Sequence, residues 1–305
     1  MDIIPYFLYI QIVKNLFQYG MIVFRKDDNM LKIGCHLSIV DGLYKAGLKA
    51  ISIDANTFQF FTRNPRGGKA KDLDRDELDK LRQLMEEHDI GPIVAHGAYT
   101  MNLASDKIQT REFAKMILKD DLERLKLIPN AYYVFHPGSH VGQGSDMGIE
   151  LIVDALNDLI DENNNTTILL EGMSGKGTEI GRNMEELKAI IDGVKHNEKL
   201  GICIDTCHLY SAGYNIVDDL DGVLKEIDDI IGLDRLKAVH LNDSKVDFYS
   251  HKDRHEVIGK GTIGLRALVN VINHPLLKDL PFNLETPNDL EGYKREIEIL
   301  RREYR

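Results

Sequence analysis

The sequence predicts an α/β fold, a single (β/α)8 TIM barrel whose working face lies at the C-terminal ends of the strands. Three observations predict it. Eight short strand-like runs occur along the chain, and eight segments of helical periodicity alternate with them. From the third run on, all six end on a His, Asp or Glu, and these endings recur every 34 to 45 residues, the length that one strand, one returning helix and two loops occupy.

The elements follow in order. LKIGCH, ending at His36, precedes DGLYKAGL, and NTFQFF, ending at Phe61, precedes DRDELDKLRQLMEEH. GPIVAH closes on His96 before REFAKMILKDDLERLKLI, AYYVFH on His136 before IELIVDALNDLI, and TTILLE on Glu171 before MEELKAIIDGV. GICID closes on Asp205 before LDGVLKEIDDII, LKAVH on His240 before LRALVNVINH, and PFNLE on Glu285 before LEGYKREIEILRREY. The runs are mostly apolar or β-branched, as strands of a parallel sheet covered on both faces must be. Asn183 and Glu186 resemble a capping box opening the fifth helix, with Gly193 near its end. No linker or composition shift interrupts the alternation, so residues 31–305 read as one catalytic barrel, a fold that typically uses about 250 residues.

Residues 1–30 fall outside this pattern and read as an N-terminal extension. Their apolar content is broken by Pro5, Gln11, Lys14, Asn15 and Gln18, whereas a membrane-spanning helix needs about 20 predominantly apolar residues. A secretory signal is not expected either, because a basic start and a small-residue cleavage site are missing. The expectation is a segment packed on the barrel or a start upstream of Met30, with a membrane-surface or partner-binding role as the alternative. The three cysteines, Cys35, Cys203 and Cys207, lie in or beside predicted strands. They read as buried free thiols in a reducing, intracellular compartment such as a cytoplasm or another DNA-bearing space, not in a secreted protein. Cys203 and Asp205 would share a strand face with only Asp205 near the mouth, which disfavours thiolate ligation.

In a parallel barrel all strand C-termini face one mouth, so the six endings meet there. His208 follows Asp205 by three residues, and Asp253 and His255, two apart, point the same way if that segment is extended. Together these are nine candidate metal ligands, five histidines and four carboxylates. One zinc takes about four, so the set suits two or three ions sharing a carboxylate. Imidazole favours zinc, while magnesium prefers oxygen ligands and keeps its waters. Paired metals lower the pKa of bound water from about 15.7 toward about 7 and clamp an in-line phosphoryl displacement, which points to phosphoester hydrolysis. A lone histidine is more often a hydrogen-bonded structural residue, and His88, His196 and His274 take that reading. His36, His140 and His251 are expected beside the ligands or at the rim.

A net charge of −11 argues at first against a nucleic-acid partner. Local charge can overrule it, since bound divalent ions are often the largest charges in a site. Arg63, Arg66, Lys69 and Lys71 after the second strand, and Lys245, Lys252, Arg254 and Lys260 after the seventh, suggest a basic rim on an acidic body.

FHPGSH at 135–140, CIDTCH at 203–208, HLNDSK at 240–245 and DRHEVIGKGTIG at 253–264 resemble endonuclease IV, with motif order and spacing intact from about Leu31 to the C-terminus. The resemblance implies a barrel enzyme that cleaves DNA at abasic sites with three zinc ions. It implies that His96, His136 and Glu171 hold one zinc, with Glu171 bridging to a second held also by Asp205, His240 and Glu285, and that His208, Asp253 and His255 hold the third. Glu171 would position the attacking hydroxide, with Glu285 as a further catalytic carboxylate. The implied reaction cuts the phosphodiester 5′ to the abasic sugar, leaving a 3′ hydroxyl and a 5′ deoxyribose phosphate, with a 3′ phosphodiesterase activity alongside. Arg66 and Tyr99 would enter the duplex at the lesion. Gly67, Gly68 and Thr100 depart from bulkier or apolar residues that can occur beside them in the family. The expected partner is double-stranded DNA carrying abasic sites, met by a monomer without a membrane or an obligatory protein partner.

Two other readings compete. A metal-dependent sugar isomerase or epimerase uses the same barrel with two divalent ions, but its sites rely mainly on carboxylates and do not require the Asp253–His255 triplet. A non-enzymatic zinc or DNA-binding module fits poorly, because structural zinc sites are closed, four-coordinate and usually rich in cysteine.

Overall fold

A computed structural model describes residues 30–305. The expectations for the extension fall on residues 1–29 and so lie outside the described residues. Seven of the strands follow the chain as β1 (Ile33–Cys35), β2 (Gln59–Phe61), β3 (Ile93–His96), β4 (Ala131–Phe135), β5 (Thr167–Glu171), β6 (Leu200–Asp205) and β7 (Leu236–His240). A short antiparallel pair, β8 (Asp243–Ser244) and β9 (His255–Glu256), intervenes before β10 (Phe282–Leu284). The eight main strands pair in the order β1-β10-β7-β6-β5-β4-β3-β2, every pairing parallel, and an isolated parallel bridge between His36 and Gln59 joins the two ends of that order. The sheet is thereby a barrel, as the alternation of runs and helical segments predicted.

The returning helices are α1 (Leu43–Ser52), α2 (Arg75–Glu87), α3 (Ile108–Leu125), α4 (Ser145–Leu159), α5 (Met184–Gly193), α7 (Leu220–Ile230), α8 (Leu265–Asn273) and α9 (Leu290–Glu303). An additional helix of one to two turns, α6 (Thr206–Ala212), follows β6 directly. Each returning helix buries one stripe, as Leu78, Leu81, Leu84 and Met85 do on α2. The Asp74 side chain caps α2 by accepting from Asp76 N at 2.9 Å. At α5 the expected box forms in modified shape. Asn183 Oδ1 accepts from Glu186 N at 2.9 Å, but the Glu186 carboxylate reaches back past the cap to Gly181 N at 2.8 Å and Arg182 N at 3.3 Å. None of the described helices is long and apolar enough to cross a membrane.

Inside the barrel, Val94, Val134, Leu169, Cys203 and Ala238 form one fully buried layer. Each stands two residues before a predicted ligand: His96, His136, Glu171, Asp205 and His240 respectively. Strand side chains alternate, so a residue two places on points the same way. The apolar layer therefore aims the next layer of side chains into the mouth and floors it against water, each buried aliphatic contributing about 1.5–3 kcal/mol. Cys203 belongs to this floor, which is why it is a packing residue as expected.

Candidate metal centre

All nine predicted ligand residues converge on the mouth. His96, Glu171, Asp205 and His240 are the last residues of β3, β5, β6 and β7, while His136 and Glu285 come one residue after β4 and β10. His208 is brought in by α6. Asp205 caps that helix, its Oδ1 accepting from His208 N at 2.9 Å, and this cap turns the chain so that His208 folds back over the strand ends. His255 arrives on the hairpin strand β9, paired with Ser244. Asp243 shapes the loop beyond it: its buried carboxylate accepts backbone N–H bonds from Ser244, Ile263 and Gly264 on one oxygen and from Gly259 and Gly261 on the other, at 2.8 to 3.2 Å. A Cβ on Gly261 would come within 2.3 Å of the Ser244 carbonyl, so only glycine fits there.

Glu171, fully buried, sits at the centre. Its Oε2 lies 3.2 Å from His96 Nε2 and 3.4 Å from His136 Nε2, while its Oε1 lies 3.3 Å from His208 Nδ1 and 3.2 Å from His240 Nδ1. His240 Nδ1 is also 3.5 Å from Glu285 Oε2. On the far side, Asp253 Oδ1 stands 3.4 Å from His208 Nε2 and 3.3 Å from His255 Nε2, which in turn is 3.4 Å from Asp205 Oδ2. Ligand atoms of these nine residues lie within 4.8 Å of one another in three groups: His96, His136 and Glu171; Glu171, Asp205, His240 and Glu285; and His208, Asp253 and His255; a fourth group joins Asp205 and His255 with Cys207.

Metal ions fit this donor set. Nε2 of His208 and His255 are buried without a hydrogen-bond partner, although carboxylate oxygens stand close to both; at His240 the nitrogen facing the carboxylates is Nδ1, and its Nε2 is likewise unpartnered. Such orphaned polar atoms cost about 1–3 kcal/mol each unless something satisfies them. The opposite ring nitrogens supply the reason the lone pairs point inward. Nδ1 of His96 faces the Gly97 carbonyl at 2.7 Å, that of His208 the Gly172 carbonyl at 3.1 Å and that of His255 the Glu285 carbonyl at 3.2 Å. Donation of Nδ1–H to these carbonyls assigns the tautomer that leaves Nε2 free as a ligand.

Electrostatics agree with close pairing. Burial would raise the Glu171 carboxyl, but the imidazoles of His240, His136 and His208 hold it well below its ordinary range. Burial likewise opposes ionisation of Asp253, yet His208 and His255 bring it down to about 2. Burial alone would lower His208, but Asp205, Asp253 and Glu171 hold it well above its ordinary value. Cys207 brings Sγ within 4.8 Å of ligand atoms of Asp205 and His255, a proximity the strand argument did not foresee. Burial pushes its thiol up to about 12, and Sγ–H donates to the Arg254 carbonyl at 3.6 Å, so it stands as a protonated thiol beside the ligands. All three cysteines are free and buried.

A family model described as xylose isomerase-like TIM barrel matches residues 48–303. Proteins named probable endonuclease 4 from Alkaliphilus oremlandii and Methanosphaera stadtmanae are each 60% identical to this chain over 276 residues, covering 90% of it and 98% and 100% of themselves. The chain belongs to the endonuclease IV family. The crystal structure of endonuclease IV from Thermus thermophilus superposes with a TM-score of 0.80 at 33% identity, over 89% of this chain and 98% of that one. A D-tagatose 3-epimerase-like protein at 19% identity, TM-score 0.66, shares the fold alone.

Around this endonuclease IV family centre, the predicted rim is partly as read. Tyr99 is 57% exposed and meets Phe61 edge-on at 4.9 Å and His136 at 5.7 Å, so it stands at the mouth. Arg66 is exposed in the loop after β2, where its backbone N–H bonds Asn64 Oδ1 at 3.0 Å. Arg63 is not a rim cation: its side chain is 2% exposed and ion-paired with Asp120 and Asp121 of α3. Lys245 reaches Glu256 at 3.7 Å. His36 lies beside the centre as expected, 3.9 Å from Glu285 Oε1. His140 holds a turn in the loop after β4, its Nδ1 accepting from Gly142 N and Gly144 N, and His251 faces the Ser174 carbonyl at 3.1 Å. His274 pairs with Asp221 at 2.9 Å, in keeping with a structural role.

Two supporting residues escaped the sequence reading. Asn242 Nδ2 donates to Asp205 Oδ2 at 2.6 Å while its Oδ1 accepts from Glu285 N at 2.8 Å. Gln59 Nε2 donates to Glu285 Oε1 at 2.5 Å and lies 3.1 Å from His36 Nδ1. Asn242 lies inside the HLNDSK motif, so a signal was present. Gln59 is a polar residue at an inward position of an apolar strand, which is itself an anomaly that marks a partner.

Proposed function

We propose that this chain is a DNA-repair endonuclease that hydrolyses the phosphodiester 5′ to abasic sites at a trinuclear zinc centre. The products are a 3′ hydroxyl and a 5′ deoxyribose phosphate, with 3′ phosphodiesterase activity alongside. The observation that carries the reading is the placement of Glu171, which offers one oxygen to His96 and His136 and the other to His208 and His240, joining the ligand groups into one cluster. His96, His136 and Glu171 would hold one zinc, Glu171, Asp205, His240 and Glu285 a second, and His208, Asp253 and His255 the third. Five imidazoles among nine donors favour zinc over magnesium. When bound, zinc supplies Lewis acidity toward phosphoryl oxygens and lowers the pKa of water toward neutrality.

The chain's own residues do the rest. Asn242 and Gln59 hold the Asp205 and Glu285 carboxylates in fixed orientations, and the Gly97, Gly172 and Glu285 carbonyls fix the imidazole tautomers. The apolar floor beneath them excludes water from below, which strengthens charge interactions at the mouth. A duplex missing a base loses less stacking when bent or flipped, so a lesion is cheaper to open than intact DNA. Arg66 and Tyr99, on neighbouring loops of the mouth, would occupy the opened duplex. The third ligand group supports this reading over a two-ion sugar isomerase. Residues 31–305 act as a single catalytic domain, the substrate being double-stranded DNA met by a monomer, and the free buried cysteines suit a reducing compartment.

The test is incubation of zinc-loaded protein with an end-labelled duplex bearing one abasic analogue, beside the intact duplex, with product ends mapped on a sequencing gel. Cleavage at the lesion alone, leaving a 3′ hydroxyl, is expected. Absence of cleavage by folded, zinc-loaded protein would overturn the proposal.

A further inference from the structure

The loops carrying Arg66 and Tyr99 leave different strands, yet a single buried carboxylate lies beneath both. Asp121, on α3, is fully buried. Its Oδ1 takes the Arg63 guanidinium through Nε at 3.1 Å and through Nη2, and Arg63 Nη1 donates onward to the Gly68 carbonyl at 2.6 Å. Arg63 thus grips the loop on both sides of Arg66. Gly68 rests on the same helix, since a Cβ there would meet the Phe113 ring at 2.8 Å, and Arg124 of α3 donates to the Lys71 carbonyl.

The other oxygen of Asp121 accepts from Tyr133 Oη at 2.9 Å. Tyr133, on β4, is fully buried under the loop that follows β3. Its Oη lies 3.4 Å from Met101 Sδ, and a Cβ on Gly97 would come within 2.8 Å of it. Residues 97 and 101 bracket Tyr99. A buried ion pair that also satisfies a phenol is a costly arrangement if all it does is hold a helix, because an apolar pair of like volume often serves as well or better. A planar guanidinium fork, by contrast, fixes direction as well as distance.

We infer that Asp121 is a positioning residue for lesion recognition, setting the loops of Arg66 and Tyr99 in one register through Arg63 and Tyr133. This rests on the reading of Arg66 and Tyr99 as lesion contacts. Asp121 bonds Arg63 and Tyr133 and not a proposed metal ligand, and its route toward the centre runs through Gly97, whose carbonyl faces His96 Nδ1, so a change at Asp121 should reach placement on DNA before it reaches the chemistry.

The experiment compares zinc-loaded Asp121→Asn with the parent chain on an abasic duplex and on bis(4-nitrophenyl) phosphate, a diester that presents no duplex for the loops to open. The expected result is a fall in kcat/KM on the duplex of about 10- to 100-fold, the scale of a misplacement of about 1 Å. Small-diester hydrolysis and zinc content stay unchanged. In an Arg66→Ala, Tyr99→Ala background the same substitution should cost little more. Tyr133→Phe, which keeps the Arg63 to Asp121 pair, guards against a folding defect, and its cost on duplex should vanish when Tyr99 is already alanine. The inference is overturned if Asp121→Asn leaves duplex cleavage intact, lowers both substrates equally, or adds its full cost in the double-alanine background. It is overturned equally if Tyr133→Phe costs nothing. If Arg66→Ala and Tyr99→Ala themselves leave cleavage unchanged, the lesion-contact reading has failed, and that outcome is visible without Asp121.

Discussion

Asn242 donates its side-chain amide to the Asp205 carboxylate at 2.6 Å, both residues being fully buried. The same side chain takes the Glu285 backbone N–H, so one neutral amide spans two of the proposed ligands. Removing such a support leaves the ligand present and misdirected. Asn242→Ala is expected to weaken metal affinity by about 10- to 100-fold, read by competition with a chelator. Affinity equal to the parent's would show that Asp205 orients itself without help.

His255 reaches Asp205 and Asp253 with a buried Nε2 that has no hydrogen-bond partner. His255→Ala should lower the zinc content by about one ion per chain and abolish cleavage. Loss of all the metal at once would mean that the centre is not built of separable groups.

The histidines and zinc compete for the same protons. Burial would lower His208, yet Asp205, Asp253 and Glu171 hold it well above its ordinary value. A group raised on folding gives its full stability below its unfolded pKa of about 6.5 and loses it as pH rises through the folded value. The zinc-free chain therefore loses this contribution above neutrality, while zinc, which needs the unprotonated ring, binds better there. The gap between zinc-loaded and zinc-free melting temperatures should widen from about pH 6 to pH 8.5, and below about pH 6 zinc and activity should be lost together. Scanning calorimetry at several pH values decides it; a constant gap contradicts the argument.

Arg66→Ala and Tyr99→Ala should each weaken binding and cleavage of abasic duplex, with zinc content unchanged. Stacking of an aromatic on a base is worth about 1–3 kcal/mol, so Tyr99→Ala should cost on the order of tenfold in affinity. Binding and cleavage unchanged in both variants would mean other side chains fill the opened duplex.

Arg63→Met leaves Asp121 buried beside Tyr133 with its main partner gone, a loss of roughly 3–5 kcal/mol. Arg63→Met together with Asp121→Leu removes both charges and should recover most of that stability in a denaturant titration. Equal destabilisation by the single and the double variant would show that the pair is not the energetic unit described above.

Much of this architecture was legible in the chain. The runs ending on His96, Glu171, Asp205 and His240 end as strands at those same residues, because an apolar β-branched run followed by a loop signal is a local pattern. The extra ligands were legible only as spacing. α6 is seven residues long and β8 and β9 two each, too short for either the 3.6 or the 2 period to declare itself.

What the sequence determined by itself is therefore the barrel and the identity of the residues at its mouth. Both follow from a period: strand alternation puts the residue two beyond Val94, Val134, Leu169, Cys203 or Ala238 on the inner face, and the βα repeat brings those positions to one end. The tertiary structure alone decided which oxygen of Glu171 faces which histidines, that Asn242 and Gln59 brace the carboxylates, and that Arg63 turns inward. Arg63 reads as one more loop cation until Asp121, 58 residues further on, is folded against it. Burial and partner choice are fixed by residues distant in the chain, and no local pattern carries them.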